Sequence, residues 1–131
     1  MIDVEKYVFD YVYPSAMTVL PAKNFKSEYV TEPASFPFAT LIEISNITDT
    51  GHRTSSDAEE YAVLTYELNA YALTKQECRT VADAIDTAMT KLNFTRISMS
   101  FIPNLADTAI YRINARYTGA AGRNNVIYRR V

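Results

Sequence analysis

The side chains that could act as nucleophiles or metal ligands are few. His52 is the only histidine of the 131-residue chain, and Cys78 is the only cysteine. His52 follows Gly51 in a polar stretch without another histidine or a cysteine nearby, which predicts a solvated loop residue rather than a metal ligand. Cys78 falls on the apolar stripe of a predicted helix, where thiols are usually inert. We therefore expect no nucleophilic catalysis of the Ser-His-Asp or Cys-His kind.

Two pairs of carboxylates have a spacing that general acid–base chemistry could use, but neither pair indicates a catalytic site. Glu59 and Glu60 begin a predicted strand, and Asp83 and Asp86 lie on the outer face of a predicted helix. We interpret both pairs as solvated charges, because a glycosidase needs two carboxylates that face each other across a cleft. With three glycines, the chain also has no glycine-rich phosphate-binding loop. The sequence predicts no enzyme, no cofactor and no metal.

The C-terminal part of the sequence is basic, although the formal net charge of the whole chain is -2. No acidic residue follows Asp107. Five basic residues do follow it: Arg112, Arg116, Arg123, Arg129 and Arg130. Such a charge asymmetry can steer head-to-tail association with a second copy of the chain. Alternatively, the basic C-terminal part can bind a polyanion. A solvated strand face with scattered arginines remains the alternative.

Two segments have the periodicity of amphipathic helices. In residues 2–13, apolar residues recur at helical spacing, and we expect Pro14 to end this N-terminal helix. Residues 74–93 begin with a capping box formed by Thr74 and Glu77. An apolar stripe follows at i, i+3, i+4 and i+7 spacing. Its members are Cys78, Val81, Ala82, Ile85, Met89 and Leu92.

Alternation of apolar and polar residues predicts the strands. Their ranges are 36–47, 59–73, 96–102, 107–118 and 126–128. Strands 96–102 and 107–118 should form a hairpin. Gly119 and Gly122 are interpreted as a break after strand 107–118. Segment 15–35 has no clear period and predicts an extended arm, whereas the polar stretch 46–57 predicts an exposed loop.

These elements predict one α+β domain over residues 1–131. We expect a mainly antiparallel or mixed sheet of about four to five strands, with the N-terminal helix and the long helix packed on one face. In the fourth strand, Tyr111 and Tyr117 fall on the core face, and Arg112 and Arg116 fall on the opposite face. This separation argues against a surface for single-stranded nucleic acid, which needs cations beside exposed aromatic rings.

A series of short motifs follows the order of these elements over most of the chain. After the N-terminal helix they are Phe36-Pro37-Phe38, the strand from Tyr61 to Glu67, Leu92-Asn93-Phe94, Ile110-Tyr111-Arg112, Arg116-Tyr117 and Ile127-Tyr128-Arg129-Arg130. In this order the chain resembles the tail terminator, or tail-completion, proteins of tailed bacteriophages and related phage-like particles. Asn93 stands where these proteins often have glycine, and asparagine is the next best residue for a left-handed turn.

The resemblance implies a homohexameric ring that binds the end of a full-length tail tube and stops its growth. The ring would offer a docking surface to the head connector, while DNA passes through its lumen without specific binding. The implied location is the tail or neck of a virion that is assembled in the bacterial host cytoplasm. No apolar stretch of the sequence approaches membrane-spanning length, so we expect no membrane contact.

The basic side chains are the expected contacts between subunits or with the tube. The candidates are Arg112, Arg116, Arg129 and Arg130, followed by the loop residues His52 and Arg53. One alternative is another neck component, such as a head-completion or connector protein. A more distant one is a nucleic-acid-binding module, which predicts strongly salt-dependent binding to DNA.

Overall fold

A computed structural model of the protein describes residues 1–30, 33, 35–48, 61–103 and 109–128. Within these ranges the chain forms two helices and six strands. In chain order they are α1 Glu5–Ala16, β1 Phe25–Lys26, β2 Phe38–Thr48, β3 Tyr61–Ala72, α2 Lys75–Lys91, β4 Thr95–Ile102, β5 Tyr111–Gly122 and β6 Ile127–Tyr128. The predicted α+β class is confirmed.

The strands form one mixed sheet in the order β1-β2-β3-β5-β4. β1 pairs in parallel with β2, and all other pairs are antiparallel. β6 pairs with the end of β5, where Ala120 lies opposite Tyr128. The predicted pairing of β4 with β5 is confirmed. β3 and β5 form the centre of the sheet, and β4 is a terminal strand.

Both helices lie on one face of the sheet, and the core lies between the two layers. The apolar face predicted for β3 is fully buried; its members are Ala62, Leu64, Tyr66, Leu68, Ala70 and Ala72. The apolar stripe of α2 packs on this face, and α1 buries Val8, Val12 and Ala16 beside α2. Burial of each large aliphatic side chain contributes about 1.5–3 kcal/mol. The amphipathic patterns therefore determine which face carries the helices.

Hydrogen bonds cap both ends of α2. At its start, the hydroxyl of Thr74 accepts a bond of 3.1 Å from the backbone N–H of Glu77, as the capping box predicts. At its end, Asn93 has a φ of 72°, and the backbone N–H of Phe94 donates to the carbonyl of Met89 at 3.0 Å. This is the Schellman arrangement, which needs a residue in the left-handed region. Asn93 Nδ2 also donates to the carbonyl of Ile127 at 3.1 Å and so ties the turn to β6.

Two predicted boundaries in the helical and arm regions are wrong. α1 continues past Pro14 to Ala16. A proline removes one backbone donor from a helix, and the buried stripe that ends in Ala16 outweighs this loss. The predicted arm, 15–35, therefore begins inside α1, and it also contains β1.

The predicted break and loop also differ from the structure. Gly119 and Gly122 do not interrupt the chain, because β5 pairs with β3 over its whole length through Gly122. In the predicted loop 46–57, residues 46–48 belong to β2, and residues 49–57 lie outside the described residues.

Candidate assembly interface

The face of the sheet opposite the helices, here called the second face, carries polar side chains from β3 and β5. The strand register places Glu67 opposite Arg116, and Asn69 opposite Asn114. Arg112 lies opposite Tyr71 in the same register. The prediction that Arg112 and Arg116 lie on the face opposite the core is therefore confirmed.

These side chains form one connected set of hydrogen bonds around Asn69, here called the Asn69 network. Asn69 Oδ1 accepts bonds from Arg112 Nε at 3.2 Å, Arg112 Nη2 at 2.8 Å and Asn114 Nδ2 at 3.0 Å. Asn69 Nδ2 donates to Glu67 Oε1 at 3.0 Å. Arg116 Nη2 donates to Glu67 Oε2 at 3.3 Å and completes the network. Asn69 is only 1% exposed, so the centre of the network is buried.

Tyr29, which follows β1, lies against the second face. Tyr29 donates its hydroxyl to Glu67 Oε1 at 3.4 Å. Asn24 Nδ2 donates to the hydroxyl of Ser35 at 2.9 Å and to the carbonyl of Pro37 at 2.8 Å. On the second face, Glu67 of β3 is therefore in contact with Tyr29, whereas Arg116 of β5 is exposed.

The Asn69 network lowers the pKa of Glu67. Burial by itself raises this pKa, but hydrogen bonds from Asn69 and Asn114 and the charge of Arg116 outweigh it. The hydrogen bonds and the charge of Arg116 favour the ionised carboxylate. Glu67 is thus a buried anion that its neighbours on the sheet compensate.

Glu67→Gln should weaken the fold most at neutral pH. Because the folded pKa is lowered, the ionised carboxylate stabilises the fold above its unfolded pKa of about 4.3, and this contribution is lost as the pH falls through the folded pKa. We expect the variant to lose about 1–3 kcal/mol near pH 7 and to approach the wild type near pH 3. Urea unfolding at a series of pH values measures this difference. A difference that does not change with pH would contradict the assignment.

The structure describes two of the six predicted interface residues, Arg112 and Arg116. Arg116 pairs with Glu67 of the same chain, and Arg112 is bonded to the neutral Asn69. The other candidates lie outside the described residues; they are His52, Arg53, Arg129 and Arg130. The role of all six residues as contacts between subunits or with the tube stays a prediction.

Sequence reasoning missed a basic cluster at the other side of the molecule. Lys75 Nζ lies 5.2 Å from the ring centre of Phe101, and Arg79 Cζ lies 5.0 Å from it. A groove of about 560 Å³ runs between α2 and β4 beside Phe101. The i, i+4 spacing of Lys75 and Arg79 on a helix was the available signal, because it places both side chains on one side of α2.

The interpretation of Asp86 as a solvated charge is wrong. Its Oδ1 accepts a bond of 2.7 Å from the hydroxyl of Tyr117 and a bond of 3.2 Å from Arg96 Nη1. Burial, together with the bond to Asp86, raises the pKa of Tyr117. Asp86 thus anchors a core tyrosine, and it lies too far along the chain from β5 for sequence spacing to reveal the contact.

The described residues offer little for catalysis or metal binding. Cys78 is buried with its thiol bonded to the carbonyl of Ala70 at 3.3 Å, and burial raises its pKa to about 11. In the described ranges no group of three or more histidine, cysteine, aspartate or glutamate side chains is arranged to hold a metal ion. Neither described helix combines the length and apolar character that a bilayer crossing requires.

The fold is similar to that of one chain in a solved structure described as the virion of a native gene transfer agent particle. The two chains are 11% identical, and their superposition has a TM-score of 0.53. The match covers 83% of this chain and 90% of that chain. At this level of identity it shows a common fold. No protein-family model and no curated protein matches the sequence.

Proposed function

We propose that this chain is a structural protein of a phage-like virion. The observation that carries the proposal is the fold shared with a chain of the gene transfer agent virion, because the match spans nearly the whole of both chains. The motif order that resembles tail terminator proteins supports the same conclusion independently. A fold by itself does not define a function, so the proposal also depends on the surfaces that the fold displays.

The proposed role is to cap the end of a tail tube as a homo-oligomeric ring. The ring ends tube growth and forms the tail side of the joint with the head. Its partners are copies of itself, the tail tube protein and the head connector, and DNA passes through its lumen without specific binding. The Asn69 network supports this proposal, because it presents the hydrogen-bonded cations Arg112 and Arg116 on a face of the sheet that the helices do not cover.

Electron microscopy of the purified protein with tail tubes tests this role. We expect rings of six copies in the protein alone, and tube ends closed by one ring in the mixture. Tubes without the protein serve as the control. If the protein leaves tube ends open and does not limit tube length, the terminator role is wrong.

The second candidate is a different component of the virion neck, because the fold similarity to a chain of a virion does not distinguish between positions in a phage-like particle. The same protein added to head connectors instead of tubes distinguishes the two. Binding to connectors together with failure to bind tubes would favour the neck component.

A further inference from the structure

One side of the molecule, where α2 meets the terminal strand β4, carries cations that pair with no described carboxylate. Lys75 and Arg79 of α2 lie over the ring of Phe101 on β4, and we call these three residues the basic edge. Asp83 lines the groove beside Arg79 and Phe101, and so does Asp86, which is paired with Arg96. Within the described part of the chain, neither Lys75 nor Arg79 forms an ion pair. The basic edge therefore presents two cations around an apolar ring.

The other side of the molecule carries three carboxylates on α1, on the residues before it and on β2. Asn46 of β2 donates to the carbonyl of Ile2 at 2.7 Å and so holds the start of the chain against the part of β2 that contains Glu43. Asp3 and Glu5 follow Ile2, and we call Asp3, Glu5 and Glu43 the acidic edge. Burial raises the pKa of Glu43, and the charges of Glu5 and Asp3 raise it further. The nearest lysine in sequence, Lys6, is paired with Asp10 at 2.7 Å. Among the described residues no cation forms an ion pair with the acidic edge.

The two edges cannot neutralise each other within one chain. Glu43 lies on β2, and Phe101 lies on β4, with β3 and β5 between them in the sheet. Three strand spacings separate β2 from β4 by about 14 Å, and the two edges flank the sheet on opposite sides. A second copy of the chain can bring the unpaired charges of both edges together.

We infer that the basic edge of one copy docks onto the acidic edge of the next copy. The contact is heterologous, because it uses two different surfaces of the same chain, and repetition of such a contact closes a ring when the rotation between copies allows it. Phe101 forms the apolar centre of the contact, and the charges around it select the orientation. This inference rests on the proposed ring and identifies the surfaces that build it.

A charge-reversal experiment tests the contact. Arg79→Glu reverses one exposed charge of the basic edge, and Glu5→Lys reverses one charge of the acidic edge. Each variant alone brings like charges together, so we expect the protein concentration for half-assembly to rise about ten-fold or more. An equimolar mixture of the two variants, and the double variant, restore opposite charges at each contact and should recover assembly. Analytical ultracentrifugation measures the mass in each case.

Two exposed residues outside both edges provide matched controls. Lys91→Glu and Glu28→Lys make the same changes in charge, and both should assemble as the wild type does. Circular dichroism checks that every variant is folded. Controls that disrupt assembly as strongly as Arg79→Glu and Glu5→Lys, or variants that fail to rescue each other, would overturn the inference.

Assembly and tube-binding measurements on the wild-type protein distinguish a failure of this inference from a failure of the proposed function. If it assembles and the reversals have no effect, the contact is wrong, while capping of tail tubes still decides the function. If it stays monomeric at all concentrations, with and without tubes, self-docking is wrong. If it assembles through these edges yet ignores tail tubes, the contact stands and the terminator role is wrong.

Discussion

Asn69→Ala should lower the free energy of unfolding by about 2–4 kcal/mol, because it removes hydrogen-bond partners from several buried or partly buried polar groups at once. Arg112 loses two hydrogen bonds, Asn114 loses one, and Glu67 loses one of the donors that lower its pKa. Water cannot easily replace the lost amide, since Asn69 is 1% exposed. Chemical denaturation measured by fluorescence or circular dichroism gives the change.

Asn114→Ala is the matched control for this prediction. It removes one neutral amide at the half-buried edge of the same network, so we expect a loss of about 0.5–1.5 kcal/mol. The two variants delete the same type of side chain from facing positions of β3 and β5. Equal losses would show that Asn69 is not the centre of the network.

Gly119→Ala should destabilise the fold by about 1–3 kcal/mol through steric overlap. A Cβ at this position would lie 2.8 Å from the ring of Phe94, closer than carbon atoms approach without a shift. Phe94 is buried and packs edge-on against Tyr66 with ring centres 5.2 Å apart, so it has no free space to move into. Equilibrium unfolding in urea measures the loss.

Gly122→Ala provides the comparison, because the same methyl group is added to the same strand. Its Cβ would lie 2.7 Å from the hydroxyl of Tyr128, which is the far end of a side chain that is 41% exposed. Tyr128 can move outward into solvent, and we expect a loss of less than about 0.5 kcal/mol. Losses of similar size at both positions would contradict the assigned role of Phe94.

Local patterns were sufficient to predict most elements of the fold. The period of two in β3 and the stripe of α2 identify buried faces, since both patterns depend only on the geometry of the backbone. The capping box of Thr74 and the left-handed turn at Asn93 are also local, because their partners lie within five residues. Gly119 was misread as part of a break, because Phe94, whose ring occupies the space that a side chain at Gly119 would fill, lies 25 residues earlier in the chain.

The hydrogen-bond partners in the candidate interface could be identified only from the tertiary structure. Arg112 and Arg116 could be assigned to a face from their alternation alone, but their partners Asn69 and Glu67 are 43 and 49 residues away. The register of β3 against β5 brings these pairs together, and a shift of one residue would separate them.

The sequence by itself determined the α+β class, the buried faces and the absence of a recognisable catalytic motif, because these follow from residue type and spacing. The tertiary structure alone decided which charges of the described residues pair with one another and which do not. The pairing of two distant charges depends on strand register and on the order of strands in the sheet. For this reason the basic edge around Phe101 and the acidic edge around Glu43 became visible only after β2 and β4 were placed on opposite sides of the sheet.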